Sequence, residues 1–126
     1  MAGQIETVLC GHLVESVDGG HRLRVGLTGG LAVTVENDFR LTSPGDVRHF
    51  YPGLTMAPED GLRALVGARV TAVRVSTGGG LELDFDTGRT IAVPPELGPD
   101  GPAEAWRVSG PDGPLFTSVP GGYLTD

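Results

Sequence analysis

The sequence contains no lysine, a single cysteine and few aromatic residues. All nine of its basic residues are arginine, a usage that reflects codon composition and carries no mechanism. Because Cys10 has no second cysteine to pair with, the chain forms no intrachain disulfide, which fits a reducing compartment. No apolar run approaches the length of a membrane span, and the first residues lack the features of a signal peptide. We therefore predict a cytoplasmic protein.

Positive charge is scarcest in the second part of the chain. The whole sequence has a net charge of −7, but residues 78–126 hold eight acidic residues against two arginines, a net charge of −6. Such a segment repels duplex nucleic acid and anionic membranes, so we predict neither as a partner. It would attract a basic protein, although a solubility role explains the same composition.

The length and the turn-forming residues indicate one β-rich domain over residues 1–126. A chain of 126 residues buries enough surface for one core without a disulfide or metal. Its 21 glycines and 10 prolines lie between short apolar runs, where they punctuate strands as turns. This spacing is typical of an antiparallel β fold.

The clearest strand pattern lies in residues 80–93. Leu81, Leu83 and Phe85 alternate with acidic residues, and Gly88 sits where a hairpin turn is expected. Similar alternation predicts about nine short strands in all, the first over residues 5–10. We predict an α+β fold, mostly antiparallel β, built as a twisted sheet or a partly open barrel.

One helix and one irregular loop interrupt the predicted strands. The helix covers about residues 58–66, with Leu62, Leu65 and Val66 on its inward face and Gly67 just past its end. Residues 46–57 have no clear period and are predicted to form an ordered loop, which is where binding residues often lie. Trp106 alternates with polar neighbours, and we interpret it as a core residue, with partial exposure in a binding surface as the alternative.

The second half of the chain resembles a known family. Its motifs are the short helix ending at Gly67, the run Gly80 to Phe85 with Gly88, the run Glu104 to Val108 with Gly110, and a terminal Pro120 to Gly122. They are similar to those of a small actinobacterial family designated domain of unknown function, serial six-one-eight-eight. The resemblance covers roughly residues 31–124 and implies a fold, but no catalytic residues. The hairpin patterns are also weakly similar to those of bacterial immunity proteins.

No motif in the sequence specifies a cofactor or metal. Asp84 and Asp86 begin like a calcium loop, but the required glycine and glutamate positions are occupied by other residues. Cys10 and His12 alternate as a metal-binding pair would, yet no second close pair follows to complete a zinc site. We predict no metal and no cofactor. No nucleophile motif is evident either, so the sequence leaves the question of an enzyme open and favours a non-enzymatic protein.

The first functional hypothesis is a protein-interaction module with an acidic face. Its residues are Glu82, Asp84, Asp86 and Glu104, and its partner would be a basic protein, with immunity-like neutralisation of a toxin as one form. The alternative is a small-ligand binder or small enzyme at the loop that contains His49, Phe50 and Tyr51, with Arg74 or Arg107 as a polar contact. A homodimer formed by edge-strand pairing is a third alternative.

Overall fold

In the part of the chain that the structure describes, the fold is a pair of antiparallel β-sheets with two short helices. The computed structural model describes residues 2–19, 22–36, 38–50, 60–75, 79–94, 106–119 and 122–125. The elements in chain order are α1 (Ala2–Leu9), β1 (Val14–Asp18), β2 (Leu23–Leu27), a 3-10 turn (Thr28–Gly30), β3 (Ala32–Val35), β4 (Phe39–Ser43), β5 (Asp46–Phe50), α2 (Asp60–Arg63), β6 (Val70–Val75), β7 (Leu81–Phe85), β8 (Thr90–Val93), β9 (Trp106–Gly110), β10 (Gly113–Val119) and β11 (Gly122–Thr125).

The strands form a six-stranded sheet and a five-stranded sheet. The first has the order β1-β2-β3-β9-β10-β11, and the second has the order β5-β4-β8-β7-β6. Every pairing between the described strands is antiparallel. The predicted class, mostly antiparallel β with a small helical part, is confirmed. The described ranges contain eleven strands instead of about nine, and these strands form two open sheets.

The predicted first strand over residues 5–10 is wrong, because α1 occupies Ala2–Leu9. Ile5 and Leu9 are four residues apart and fully buried, whereas Glu6 and Thr7 between them are exposed. That spacing places the two apolar side chains on one side of a helix. Burying each of these side chains stabilises the fold by about 1.5–3 kcal/mol. An eight-residue helix depends on such packing because it is not stable alone. The backbone N–H of Gly11 then donates to the Val70 carbonyl at 2.8 Å and ties the end of α1 to β6.

The predicted irregular loop over 46–57 is also wrong in its first part. Residues 46–50 form strand β5, which pairs with β4 along its whole length. This strand lies at the edge of its sheet, and only Phe50 is buried. A strand exposed on both faces has no period-two pattern, which is why its sequence does not resemble a strand. Residues 51–57 lie outside the described residues.

The predicted helix over 58–66 is shorter in the structure. Helix α2 spans Asp60–Arg63, and residues 58 and 59 lie outside the described ranges. Leu62 and Leu65 are fully buried as predicted, but Val66 is 51% exposed. The reason is the tightened turn, in which the Val66 N–H donates to the carbonyl of Arg63 rather than one residue earlier. Gly67 follows with a φ of +90°, the conformation expected just past a helix end.

One continuous core joins the two sheets. Trp106 on β9 is 0% exposed, and its indole N–H donates to the Gly79 carbonyl, just before β7, at 2.8 Å. The interpretation of Trp106 as a core residue is therefore confirmed. The β7–β8 hairpin also follows its prediction, with three inward apolar residues and a positive φ of 83° at Gly88. Neither helix has the length or apolar character that crossing a bilayer requires among the described residues.

Candidate functional site

Five side chains form one row across the five-stranded sheet. The antiparallel register places His49 of β5 beside Arg40 of β4, Arg40 beside Ala92 of β8, Ala92 beside Glu82 of β7, and Glu82 beside Arg74 of β6. Directly paired residues point to the same side of a sheet, so the row lies on the face opposite the core. The strands are not arranged in the sheet in their chain order, so these five side chains become neighbours only in the folded protein.

A cleft of about 810 Å³ lies beside this row, at the end of the sheet where β4 and β7 begin and β6 and β8 end. We name it the sheet-end cleft. Its volume falls within the range of small-molecule binding sites, roughly 300–1,000 Å³. The described residues that line it are Glu6, Asp38, Phe39, Arg40, His49, Val73, Arg74, Val75, Gly80, Leu81, Glu82, Ala92, Val93 and Pro94.

The apolar part of the cleft wall belongs to the protein core. Phe39, Leu81 and Val93 are buried residues at the ends of their strands, and each also lines the cleft. The ring of Phe50 stacks on Phe39 from behind, with centroids 5.0 Å apart and ring planes 11° apart. Both rings are held in the core, so core packing fixes this part of the wall.

The two described residues of the predicted cluster 49–51 lie in different surroundings. His49 is exposed and lines the cleft, whereas Phe50 is buried and supports the wall indirectly. Tyr51 lies outside the described residues. Arg107, the proposed polar contact, is on β9 of the other sheet between Thr34 and Thr117, and it is not among the lining residues. Arg74, the second proposed contact, does line the cleft.

Arg74 pairs closely with Asp84 of β7 and lies at a longer distance from Glu82 of the same strand. Its guanidinium donates two hydrogen bonds to the Asp84 carboxylate, at 2.8 and 2.9 Å, and lies 3.7 Å from Glu82. The hydroxyl of Thr90 donates a third bond to Asp84 at 3.0 Å. The hydrogen bonds from Arg74 lower the pKa of Asp84, and the same pairing raises the pKa of Arg74. Both charges therefore persist at neutral pH.

The residues of the predicted acidic face make different contacts in the structure. Glu82 and Asp84 lie on one face of β7, where Arg74 reaches both. Asp86 lies just after the strand, and one of its carboxylate oxygens accepts a hydrogen bond from the backbone N–H of Arg69 at 3.0 Å. That bond fixes the far end of the β6–β7 pair. Glu104 lies outside the described residues.

Three charged groups of the cleft were not predicted from the sequence. The side chain of Arg40 is exposed and forms no hydrogen bond or salt bridge to any residue in the described ranges, and the same holds for the side chain of Asp38. Glu6 reaches the cleft from α1. The alternation of Phe39 and Arg40 in β4 indicates that Arg40 faces outward, but the sequence gives no sign that β8 and β7 lie beside it.

The pair Cys10 and His12 shows no metal geometry. Burial, and next the charge of Glu6, raise the pKa of the Cys10 thiol, which opposes the thiolate form that a metal would bind. His12 is already engaged, with its Nδ1 atom 3.0 Å from the Thr28 hydroxyl. The described residues contain no group of three or more His, Cys, Asp or Glu side chains that could hold a metal ion.

The chain belongs to a family of unknown function, DUF6188, whose model matches residues 5–126. The resemblance seen in the second half of the sequence is therefore confirmed, and it extends to the N-terminal helix. No curated protein and no solved structure matches the chain. The family carries no established activity that could be transferred to the cleft.

Proposed function

We propose that this family member binds a small, largely apolar molecule in the sheet-end cleft. The observation that carries the proposal is the cleft itself, about 810 Å³ in volume, with core residues for walls and charged residues beside them. Concave sites that combine apolar walls with a few polar groups are the usual form of ligand pockets.

The packing of the cleft walls favours a binding site rather than an incidental depression of the protein surface. Leu81 and Val93 are a directly paired cross-strand couple of β7 and β8, so backbone hydrogen bonds fix their separation. Phe39 is held by its stacked partner Phe50. A wall that is already ordered loses little conformational entropy when a ligand binds, which favours affinity.

The experiment uses a neutral apolar dye, N-phenyl-1-naphthylamine, whose fluorescence rises in apolar surroundings. Ala92 lies on the cleft side of β8, so Ala92→Phe should fill the cleft and weaken dye binding by about tenfold or more. Ala72 is an equally half-buried alanine of the same sheet that does not line the cleft, and Ala72→Phe is the matched control. Thermal melting checks that both variants fold.

Dye binding that survives Ala92→Phe, or that Ala72→Phe abolishes equally, would contradict the proposal. Absence of dye binding to the unmodified protein at micromolar concentrations would do the same. Native mass spectrometry of the purified protein provides a second readout, since a co-purified small molecule should be present in the unmodified protein and missing from Ala92→Phe.

A second candidate function, binding of a basic protein, is favoured by the charge distribution. Residues 78–126 carry a net charge of −6, and Glu82 and Glu104 belong to that segment. Electrostatic attraction would make such an association fast and sensitive to salt. The ion pair of Asp84 with Arg74 reduces the negative charge that this part of β7 presents, so Glu82 and Glu104 are the residues to test first.

The test compares two sets of charge-removing variants in a pull-down at low and high salt. A partner bound through the acidic face should be captured by the unmodified protein, released by salt, and lost from the double variant Glu82→Gln with Glu104→Gln. Asp112→Asn removes a charge from the exposed β9–β10 turn in the same acidic segment and should retain the partner. Equal capture by all three proteins would contradict a role for this face.

A further inference from the structure

Arg40 is the cation of the sheet-end cleft that has no partner in the described part of the chain. The other lining arginine, Arg74, is engaged by Asp84 and Glu82. Arg40 is exposed and lies between His49 and Ala92 in the cross-strand row, and its side chain forms neither a hydrogen bond nor a salt bridge there. A guanidinium beside apolar walls is weakly hydrated and well suited to a planar anion.

We propose that the ligand of the sheet-end cleft is an organic anion, a carboxylate attached to an apolar body, and that Arg40 binds its carboxylate. This inference rests on the proposed binding function and adds the chemical class of the ligand. Guanidinium groups bind carboxylates through two parallel N–H···O bonds, which fix the orientation of the bound group as well as its charge. The apolar body would then lie against Val75, Ala92 and Pro94, the apolar lining residues that keep exposed surface.

The neighbours of Arg40 in the row leave space for such a group. Ala92, on one side, is small, so the guanidinium is not covered from β8. His49, on the other side, is the direct cross-strand partner of Arg40, and it is exposed in the cleft. Strands lie about 4.7–4.9 Å apart, so an imidazole N–H can reach a carboxylate that Arg40 holds. Arg40 and His49 together form the anion-binding end of the cleft.

Three acidic residues, Glu6, Asp38 and Glu82, line the cleft, and the two on the five-stranded sheet side, Glu82 and Asp38, oppose an anion at Arg40 unequally. Glu82 is two strands from Arg40, about 10 Å away. At physiological salt this distance exceeds the screening length, so the repulsion is weak. Asp38 is nearer, because it precedes Arg40 by two residues, a span of about 7 Å in an extended chain. Asp38 should therefore limit the affinity for an anion, and its removal should raise that affinity.

The experiment measures displacement of N-phenyl-1-naphthylamine by two ligands with the same apolar chain. Decanoate carries the carboxylate at pH 7.5, and decan-1-ol replaces it with a neutral hydroxyl. The variants are Arg40→Gln, Asp38→Asn, and Arg24→Gln, an exposed strand arginine of the other sheet that serves as the matched control. The Arg24→Gln variant changes the net charge by the same amount as Arg40→Gln.

We expect the unmodified protein to bind decanoate about tenfold more tightly than decan-1-ol, because a charged hydrogen-bonded pair is added. Arg40→Gln should remove this preference and leave decan-1-ol binding within about twofold, whereas Asp38→Asn should strengthen decanoate binding alone. Arg24→Gln should change neither affinity. A stronger decanoate preference in Arg40→Gln, or an unchanged one, would overturn the anion assignment while the cleft proposal stands. Failure of the dye itself to bind would refute the cleft proposal, and the anion assignment with it.

Discussion

Replacing Trp106 by phenylalanine tests how the two sheets are joined. The indole N–H of Trp106, on the six-stranded sheet, donates at 2.8 Å to the carbonyl of Gly79, just before the first strand residue of β7. Both residues are buried, and the Trp106 side chain is 0% exposed. Phenylalanine keeps most of the apolar ring but cannot donate, so the substitution removes this link with little other change.

The expected loss of stability has two parts. A buried carbonyl left without its donor costs about 1–3 kcal/mol. The smaller ring leaves a partial cavity, which costs roughly 1 kcal/mol, since removing a whole aromatic side chain costs about 3–5 kcal/mol. The free energy of unfolding should therefore fall by about 2–4 kcal/mol, a large share of the roughly 5–15 kcal/mol typical of a domain.

Urea unfolding followed by far-UV circular dichroism provides the measurement, because the variant lacks the only tryptophan. The midpoint should decrease by roughly 1–2 M at an unchanged slope. Phe85→Leu is the control, since Phe85 is equally buried and its substitution also trims a ring inside the core. If Trp106→Phe costs no more than Phe85→Leu, the hydrogen bond to Gly79 is not the link that we describe.

Three further predictions follow from individual contacts. The Arg74 hydrogen bonds lower the folded-state pKa of Asp84 below its ordinary value of 3.8, so the contribution of this pair is complete above that pH and is lost as the pH falls below it. In the unmodified protein this loss of stability should be at most about 1 kcal/mol, because Arg74 is 54% exposed. Asp84→Asn should abolish the loss, as measured by thermal melting at a series of acidic pH values. Gly67→Ala should cost about 1–2 kcal/mol in urea unfolding, through its φ of +90° alone, since a Cβ there would contact nothing. Cys10 should react with iodoacetamide at pH 7.5 more slowly than free cysteine, because burial raises the pKa of its thiol.

Each of these predictions has a clear contrary result. An acid-range loss that persists in Asp84→Asn would show that other carboxylates cause it. A Gly67→Ala variant as stable as the unmodified protein would mean that the turn relaxes. Rapid alkylation of Cys10 would contradict the burial described at the end of α1.

The sequence predicted the elements whose side chains alternate between core and solvent. Strand β7 is the clearest case, because Leu81, Leu83 and Phe85 are buried while Glu82 and Asp84 face outward. Two elements were mispredicted because their local pattern is ambiguous or absent. Residues 5–10 fit both a strand and a helix period, and packing of Ile5 and Leu9 decides for the helix. Strand β5 has four exposed residues in succession and no period at all.

The sheet-end cleft could not be predicted from local patterns. It depends on β4 pairing with β8, which brings Arg40 beside Ala92, 52 positions later in the chain. Pairing between strands so far apart is a property of the whole fold, and no spacing within either strand indicates it. The sequence named His49 and Arg74 as candidate ligand contacts, and both line the cleft, but it grouped them with Arg107, which lies on the other sheet.

The most direct test of the binding site is residue-resolved NMR during titration with decanoate. The chemical shifts of backbone amides report which part of the molecule the ligand contacts. Our account predicts that the largest changes cluster at Arg40, His49, Leu81, Ala92 and Val93, with the six-stranded sheet unaffected. Changes confined to the six-stranded sheet, or no saturable changes at millimolar decanoate, would contradict it.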